Sequence, residues 1–173
     1  MKKVLVIGSS GAGKSTFARR LGEATGLPVI HLDRLYWKPN WVETTDKNEW
    51  REKVEKVLAG EKWVIDGNYS GTLALRLEKC DTVIFLDIPR AVCVYRVLKR
   101  VTLYTKGSRP DMTDGCDERF DWEFIKWIWS YPTRSKPKVE TFLKGVQDEK
   151  TIIRLQSKKE VENFFDNELP AIL

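Results

Sequence analysis

The stretch Gly8-Ser9-Ser10-Gly11-Ala12-Gly13-Lys14-Ser15-Thr16 constrains this chain more than any other, because it sits between an apolar β-branched run and an amphipathic one. Glycines at that spacing let successive backbone N–H groups turn inward around a phosphate, and a helix starting there adds the positive end of its dipole. The pattern GxxxxGK[ST] is met by Gly8, Gly13, Lys14 and Ser15. In that setting Lys14 is expected to reach the outer phosphates of a nucleotide, and the Ser15 hydroxyl to ligate Mg²⁺. Ser9, Ser10, Gly11, Ala12 and Thr16 complete the expected phosphate-binding loop. A dinucleotide-binding turn fits less well, since Thr16 stands where the third glycine belongs and Lys14 would crowd a pyrophosphate lying flat on the helix.

Beyond this loop, short β-branched runs alternate with longer amphipathic ones, the pattern of a parallel sheet covered by helices. Strands are expected at residues 2–8, 28–33, 62–67, 82–87 and 150–155, with the first helix at 14–25. The reading is a single α/β domain, residues 1–173, of the three-layer P-loop kind. Two connections are too long to be plain crossovers. Residues 34–61 form an insertion, expected to bind the acceptor, with a helix at about 46–59, and residues 88–149 carry helices at about 89–103, 119–131 and 133–145. Between the first two of these lies a Gly/Pro/Asp-rich loop, 104–118, expected to act as a lid. A last helix is expected at about 158–168.

Composition excludes several classes. The basic start MKKVLVIG resembles a secretory leader only superficially, because its apolar run ends within four residues. Nothing in the chain approaches the ~18 apolar residues that cross a bilayer. Cys80, Cys93 and Cys116 have no CxxC spacing and His31 is the only histidine, so neither a disulfide framework nor a structural zinc site is supported. A cytoplasmic protein with reduced thiols is expected, with no membrane partner. The net charge of +5 is local: six cations between Arg90 and Arg109 meet no acid until Asp111.

Acids and arginines at the strand ends are the chemical candidates. Asp66, at the end of "WVID", can orient Mg²⁺ through water or can cap its loop. Asp33, read as the end of the second strand, can accept the proton of an attacking hydroxyl, or can serve as an N-cap or a partner for Arg34. His31 on the same strand reads as a packed core residue. Arg96 and Arg100, four apart on one helix, point the same way and can neutralise a transferring phosphoryl group, with Arg109 and Arg134 as further candidates. The alternative for all four is a solvated basic surface. Trp122, Phe124, Trp127, Trp129 and Tyr131 can stack on bases, but their spacing favours a helix packed between core and lid. Tyr36, Trp37 and Trp41 in the first insertion are better placed to touch a substrate.

Three function classes compete: a small-molecule kinase, a GTPase-type switch and a nucleic-acid-directed ATPase. The switch is weakened because no [NT]KxD follows, Thr105-Lys106-Gly107-Ser108 lacking the aspartate. Together, the loop, "WVIDGNYS", "VIFLDIPR" and the arginine-bearing helix resemble the adenylate-kinase and shikimate-kinase group of P-loop proteins. More narrowly, "HLDRLYWKPNW", "IDGNYSGTLALRL", "RPDMTDGCDERFD" and "FIKWIWSYPTRSKP" are similar to bacterial DNA-topology-modulation (FlaR-type), adenylate-kinase-related proteins. The resemblance implies strand order 2-3-1-4-5, ATP with Mg²⁺, and a closing lid. Its label implies an effect on DNA, yet no helix-turn-helix is present and direct nucleic-acid binding is not expected. The chain departs from adenylate kinases where Asn68-Tyr69-Ser70 replace an early arginine, the next being Arg76, and the insertion has only Arg34 and Arg51. Asp33, Arg34, Tyr36, Trp37, Asn68, Tyr69 and Arg76 are the expected substrate contacts. Asp33 tilts the expected acceptor toward a small hydroxyl-bearing molecule.

Overall fold

The computed structural model describes residues 1–43, 46–103 and 111–172. Five parallel strands form the central sheet: β1 Lys3–Gly8, β2 Val29–His31, β3 Trp63–Asp66, β4 Thr82–Leu86 and β5 Thr151–Leu155. Their spatial order is β2-β3-β1-β4-β5, as expected. The register aligns Val6 with Asp66 and Asp66 with His31, so the carboxyl ends of three neighbouring strands meet at one level. Open α/β sheets hold their ligands at this edge.

The three inner strands, β3, β1 and β4, are buried on both faces, which is why they read as nearly continuous apolar runs. On β1, Val4 and Val6 enter one core while Leu5 and Ile7 enter the other, the alternation that a pleated strand imposes. The first core is closed by α1 (Lys14–Thr25) through Phe17, Ala18 and Leu21, by α5 (Arg90–Leu103) through Cys93 and Val97, and by α6 (Trp122–Trp129) through Ile125 and Ile128. The second is closed by α3 (Lys47–Leu58), α4 (Leu73–Lys79) and α8 (Lys136–Val146). The α3 helix begins where Asp46 accepts from the backbone N–H groups of Asn48 and Glu49, and it buries Trp50, Val54 and Leu58. Between α6 and α8, the short α7 (Tyr131–Arg134) breaks at Ser135, where one helix was expected. The last helix, α9 (Lys158–Asn163), runs into a wider π turn at Phe164–Glu168.

Two differences from the sequence reading move functional residues. The second strand stops at His31, and Leu32–Tyr36 is a short helix, α2. Asp33 therefore sits on the first turn of α2 rather than on the strand. The aromatic helix is also less buried than its composition suggests: Ile125, Ile128 and the following Tyr131 face the core, while Trp122, Trp127 and Trp129 are exposed. An eight-residue helix has one inward stripe, and the isoleucines fill it.

Two short strands, Trp37–Lys38 and Val42–Glu43, pair antiparallel within the first insertion. Among the described residues, no helix is long and apolar enough to cross a membrane.

Candidate nucleotide and acceptor site

The phosphate-binding loop owes its path to glycine. Gly11 has φ 81°, and a Cβ there would lie 2.4 Å from the Cys93 carbonyl of α5, so any side chain would push the loop off that helix. Gly13, at φ 98°, caps the N-terminus of α1. The same packing brings Arg96 onto the loop, its guanidinium donating to the Ala12 carbonyl at 3.0 Å. On the opposite side the Gly8 N–H donates to Asn68 Oδ1 at 3.0 Å, tying the end of β1 to the loop after β3.

Inside the loop, Lys14 Nζ donates to the Ser9 carbonyl at 3.0 Å. Burial lowers its pKa from the usual ammonium range; Asp33 and Asp66 oppose that shift, while Arg100 reinforces it. One ammonium thus feels the two candidate carboxylates and a candidate arginine together. Arg100 also pairs with Glu118, Nε to Oε1 at 2.9 Å.

Asp66 is 4% exposed and divides its two oxygens between two partners. The Ser15 hydroxyl donates to Oδ2 at 2.8 Å, and His31 Nδ1 lies 2.6 Å from Oδ1. Burial alone would lower the His31 pKa, but the hydrogen bond and charge of Asp66 outweigh it and raise it. His31 was read as core packing; strand pairing makes it a partner of Asp66, a relation that no local pattern announces. The Ser15 and Asp66 oxygens lie together beside the loop, a hard-oxygen pair of the kind Mg²⁺ takes alongside phosphate and water.

The loop Gly67-Asn68-Tyr69 is held from below. Arg76 is fully buried and donates to the carbonyls of Gly67, Asn68, Tyr69 and Thr72. It was expected to meet substrate; its fork is instead spent on backbone, so its place is that of a support. That support holds Tyr69 at φ 24°, a sparsely populated conformation for a residue with a side chain. The Tyr69 hydroxyl donates to Asp33 Oδ1 at 2.6 Å. Burial first, then the Asp33 charge, keep the phenol protonated.

Tyr36 lies 4.7 Å from Tyr69, ring centre to ring centre, and 5.1 Å from Trp50; its hydroxyl donates to Glu43. Residues 111–118 dock against this insertion. Thr113 donates to the Trp37 carbonyl at 2.6 Å, the Trp41 indole to the Asp117 carbonyl, and the Asn40 N–H to the Gly115 carbonyl. The first insertion and the far end of the expected lid are thus one hydrogen-bonded unit. Arg34 is exposed on α2, and its carbonyl also accepts from Thr113.

Of the two remaining arginine expectations, one stands apart from this group. Arg109 lies outside the described residues. Arg134 is exposed at the end of α7, stacked 4.4 Å over Trp127 and bonded to the Trp127 carbonyl. Arg90 over Trp129 and Lys126 near Trp122 repeat the arrangement.

On the other side of the loop, Ser9, Asp87, Arg90, Tyr131, Lys136 and Gln156 line a cleft of about 210 Å³ at the carboxyl ends of β1, β4 and β5. Asp87 accepts there from Lys136, Arg154 and Gln156, which fastens β4 to β5 and α8.

A family model described as an AAA domain matches residues 4–111, more than half of the chain. No curated protein matches it.

Proposed function

The chain belongs to the AAA-domain family of P-loop NTPase-like proteins, and on that premise we propose that it is an ATP-dependent kinase for a small hydroxyl-bearing acceptor. The observation that carries the reading is that two carboxylates are fixed at and just past the carboxyl ends of neighbouring strands beside the phosphate loop, Asp66 by Ser15 and Asp33 by Tyr69. A carboxylate held in place by a tyrosine can take the proton of an attacking acceptor hydroxyl.

The loop amides and Lys14 would bind the β- and γ-phosphates, and Arg96, which reaches the loop from α5, with Arg100 one turn further along the same helix, would spread the charge of the transferring group. Ser15 and Asp66 would hold Mg²⁺, which when bound neutralises phosphate charge. His31 keeps Asp66 oriented toward Ser15. Asp33, fixed by Tyr69, would orient the acceptor hydroxyl and take its proton. Docking of residues 111–118 on the insertion brings the two walls of the acceptor site together and helps exclude water.

The test is transfer of label from γ-labelled ATP to an acceptor panel, with Asp33→Asn as the control variant. A labelled small product supports the kinase.

A second reading, an ATPase acting on nucleic acid, draws on the exposed Trp122, Trp127 and Trp129 with cations stacked beside them. It predicts strongly salt-dependent DNA binding with no labelled small product.

A further inference from the structure

Most of the large apolar side chains that stand exposed among the described residues belong to α5 and α6 or lie beside them. Cys93 and Val97 turn α5 toward the core, and Ile125 and Ile128 do the same for α6, so each helix keeps an outward face. On α5 that face carries Val92, Tyr95 and Leu98 at three-residue spacing, with Tyr95 64% exposed. On α6, Trp122 and Trp129 stand seven residues apart on one side of the helix, 58% and 48% exposed. The two helices pack against each other, and Arg90 at the start of α5 stacks 4.2 Å over the ring of Trp129 at the end of α6. Two turns on from Arg90 is Leu98, and two turns back from Trp129 is Trp122, so the α5 stripe runs alongside the two indoles as one surface. Apolar residues scattered singly on a surface need no explanation; a contiguous group of this size marks a contact.

The same surface is predominantly cationic. Arg90 and Lys99 are exposed on α5, and Lys126 on α6 lies 6.0 Å from the centre of the Trp122 ring. The α5 helix contains no acid, and residues 104–110, which lie outside the described residues, contain Lys106 and Arg109 and no acid either. The acids at the start of α6 have local partners: Glu123 accepts from Lys126, and Asp121 caps the helix by accepting from the Phe124 N–H.

An apolar face set among cations suits a membrane surface that carries negative headgroups. Indole and phenol rings settle at headgroup level, aliphatic side chains reach the acyl boundary, and Lys and Arg stems lie along apolar surface with their charges on phosphate. Two other occupants fit less well. A second copy would set this cationic face against itself. Nucleic acid would leave Val92 and Leu98 without a partner, and Arg90 already covers a face of Trp129 on which a base would stack. We propose that the outward face of α5 and α6 binds an anionic phospholipid surface, an interaction that rests on neither the acceptor chemistry nor the kinase reading.

The experiment mixes the full chain with vesicles of phosphatidylcholine alone, or of phosphatidylcholine with about one third phosphatidylglycerol, and measures binding by cosedimentation and by tryptophan emission. Binding to the anionic vesicles should be about tenfold tighter or more than to the neutral ones, and should weaken as salt is added. The double variant Leu98→Ser, Trp122→Ser should bind the anionic vesicles about tenfold less tightly, and the double variant Lys99→Gln, Lys126→Gln about fivefold less. Thermal unfolding of each variant confirms that it is folded, and the lysine pair, changed only at exposed ends, carries the test if the first does not fold. Absence of binding, equal binding to the two kinds of vesicle, or undiminished binding by a folded variant overturns the proposal. So does tighter binding of single-stranded oligothymidylate than of anionic vesicles, or a dimer in analytical ultracentrifugation that Leu98→Ser, Trp122→Ser dissolves.

Discussion

The Tyr69 hydroxyl donates to Asp33 Oδ1 at 2.6 Å, joining two residues 36 positions apart across the mouth of the site. Tyr69 reaches that point only because Arg76 fixes the backbone beneath it at a positive φ. If Asp33 acts on the acceptor, Tyr69 is its positioning residue. Tyr69→Phe should therefore lower kcat about tenfold, with the ATP KM unchanged and the fold intact, because misplacement of a reacting group by less than 1 Å already costs rate. Steady-state kinetics with each substrate varied in turn separates this from a loss of binding.

Lys14→Ala removes the cation that the phosphate loop encloses. Charge-assisted bonds to phosphate are among the strongest that a side chain makes, so nucleotide affinity should fall by about 100-fold or more. Titration with ATP measures this directly, and unchanged affinity would remove the loop from the site.

Arg76→Met should destabilise the chain by about 2 kcal/mol or more, since it strands buried carbonyls of Gly67, Asn68, Tyr69 and Thr72 at once. The fall appears in the urea midpoint with little change in m. A surface change such as Trp129→Ser should stay within about 1 kcal/mol, because half of that ring is already in water.

Asp87 is the acid-sensitive tie. Burial works to raise its pKa, but hydrogen bonds from Lys136, Arg154 and Gln156 prevail and hold the carboxyl below the usual carboxylate range. A depressed carboxylate contributes stability that is fully present above its unfolded pKa, near 4, and is lost as pH falls through the folded value. Asp87→Asn should accordingly be less stable at pH 7, and its stability should fall less steeply below about pH 4 than that of the parent. Urea denaturation at a series of pH values gives both slopes.

Much of this architecture is legible in the sequence, because periodicity and glycine spacing are local signals. The strands around the phosphate loop, the α3 helix, and Asp66 at a strand end all follow from such patterns. What escapes is long-range. His31 carries no sign that Asp66 will lie beside it, since that pairing belongs to the sheet register. Arg76 reads as a substrate contact until the backbone it holds is seen. The tryptophans of α6 read as core by composition, yet Ile125 and Ile128 fill the inward stripe and cations stack beside the exposed rings. Asp33 shifts from strand to helix because β2 is only three residues long.

The role of Asp33 as acceptor base is the central claim, and single-turnover phosphoryl transfer from γ-labelled ATP by Asp33→Asn, beside ATP titration of the same variant, tests it most directly. The account predicts unchanged ATP affinity and a transfer rate lower by about 10²-fold or more. Equal transfer rates in the variant and the parent would contradict it.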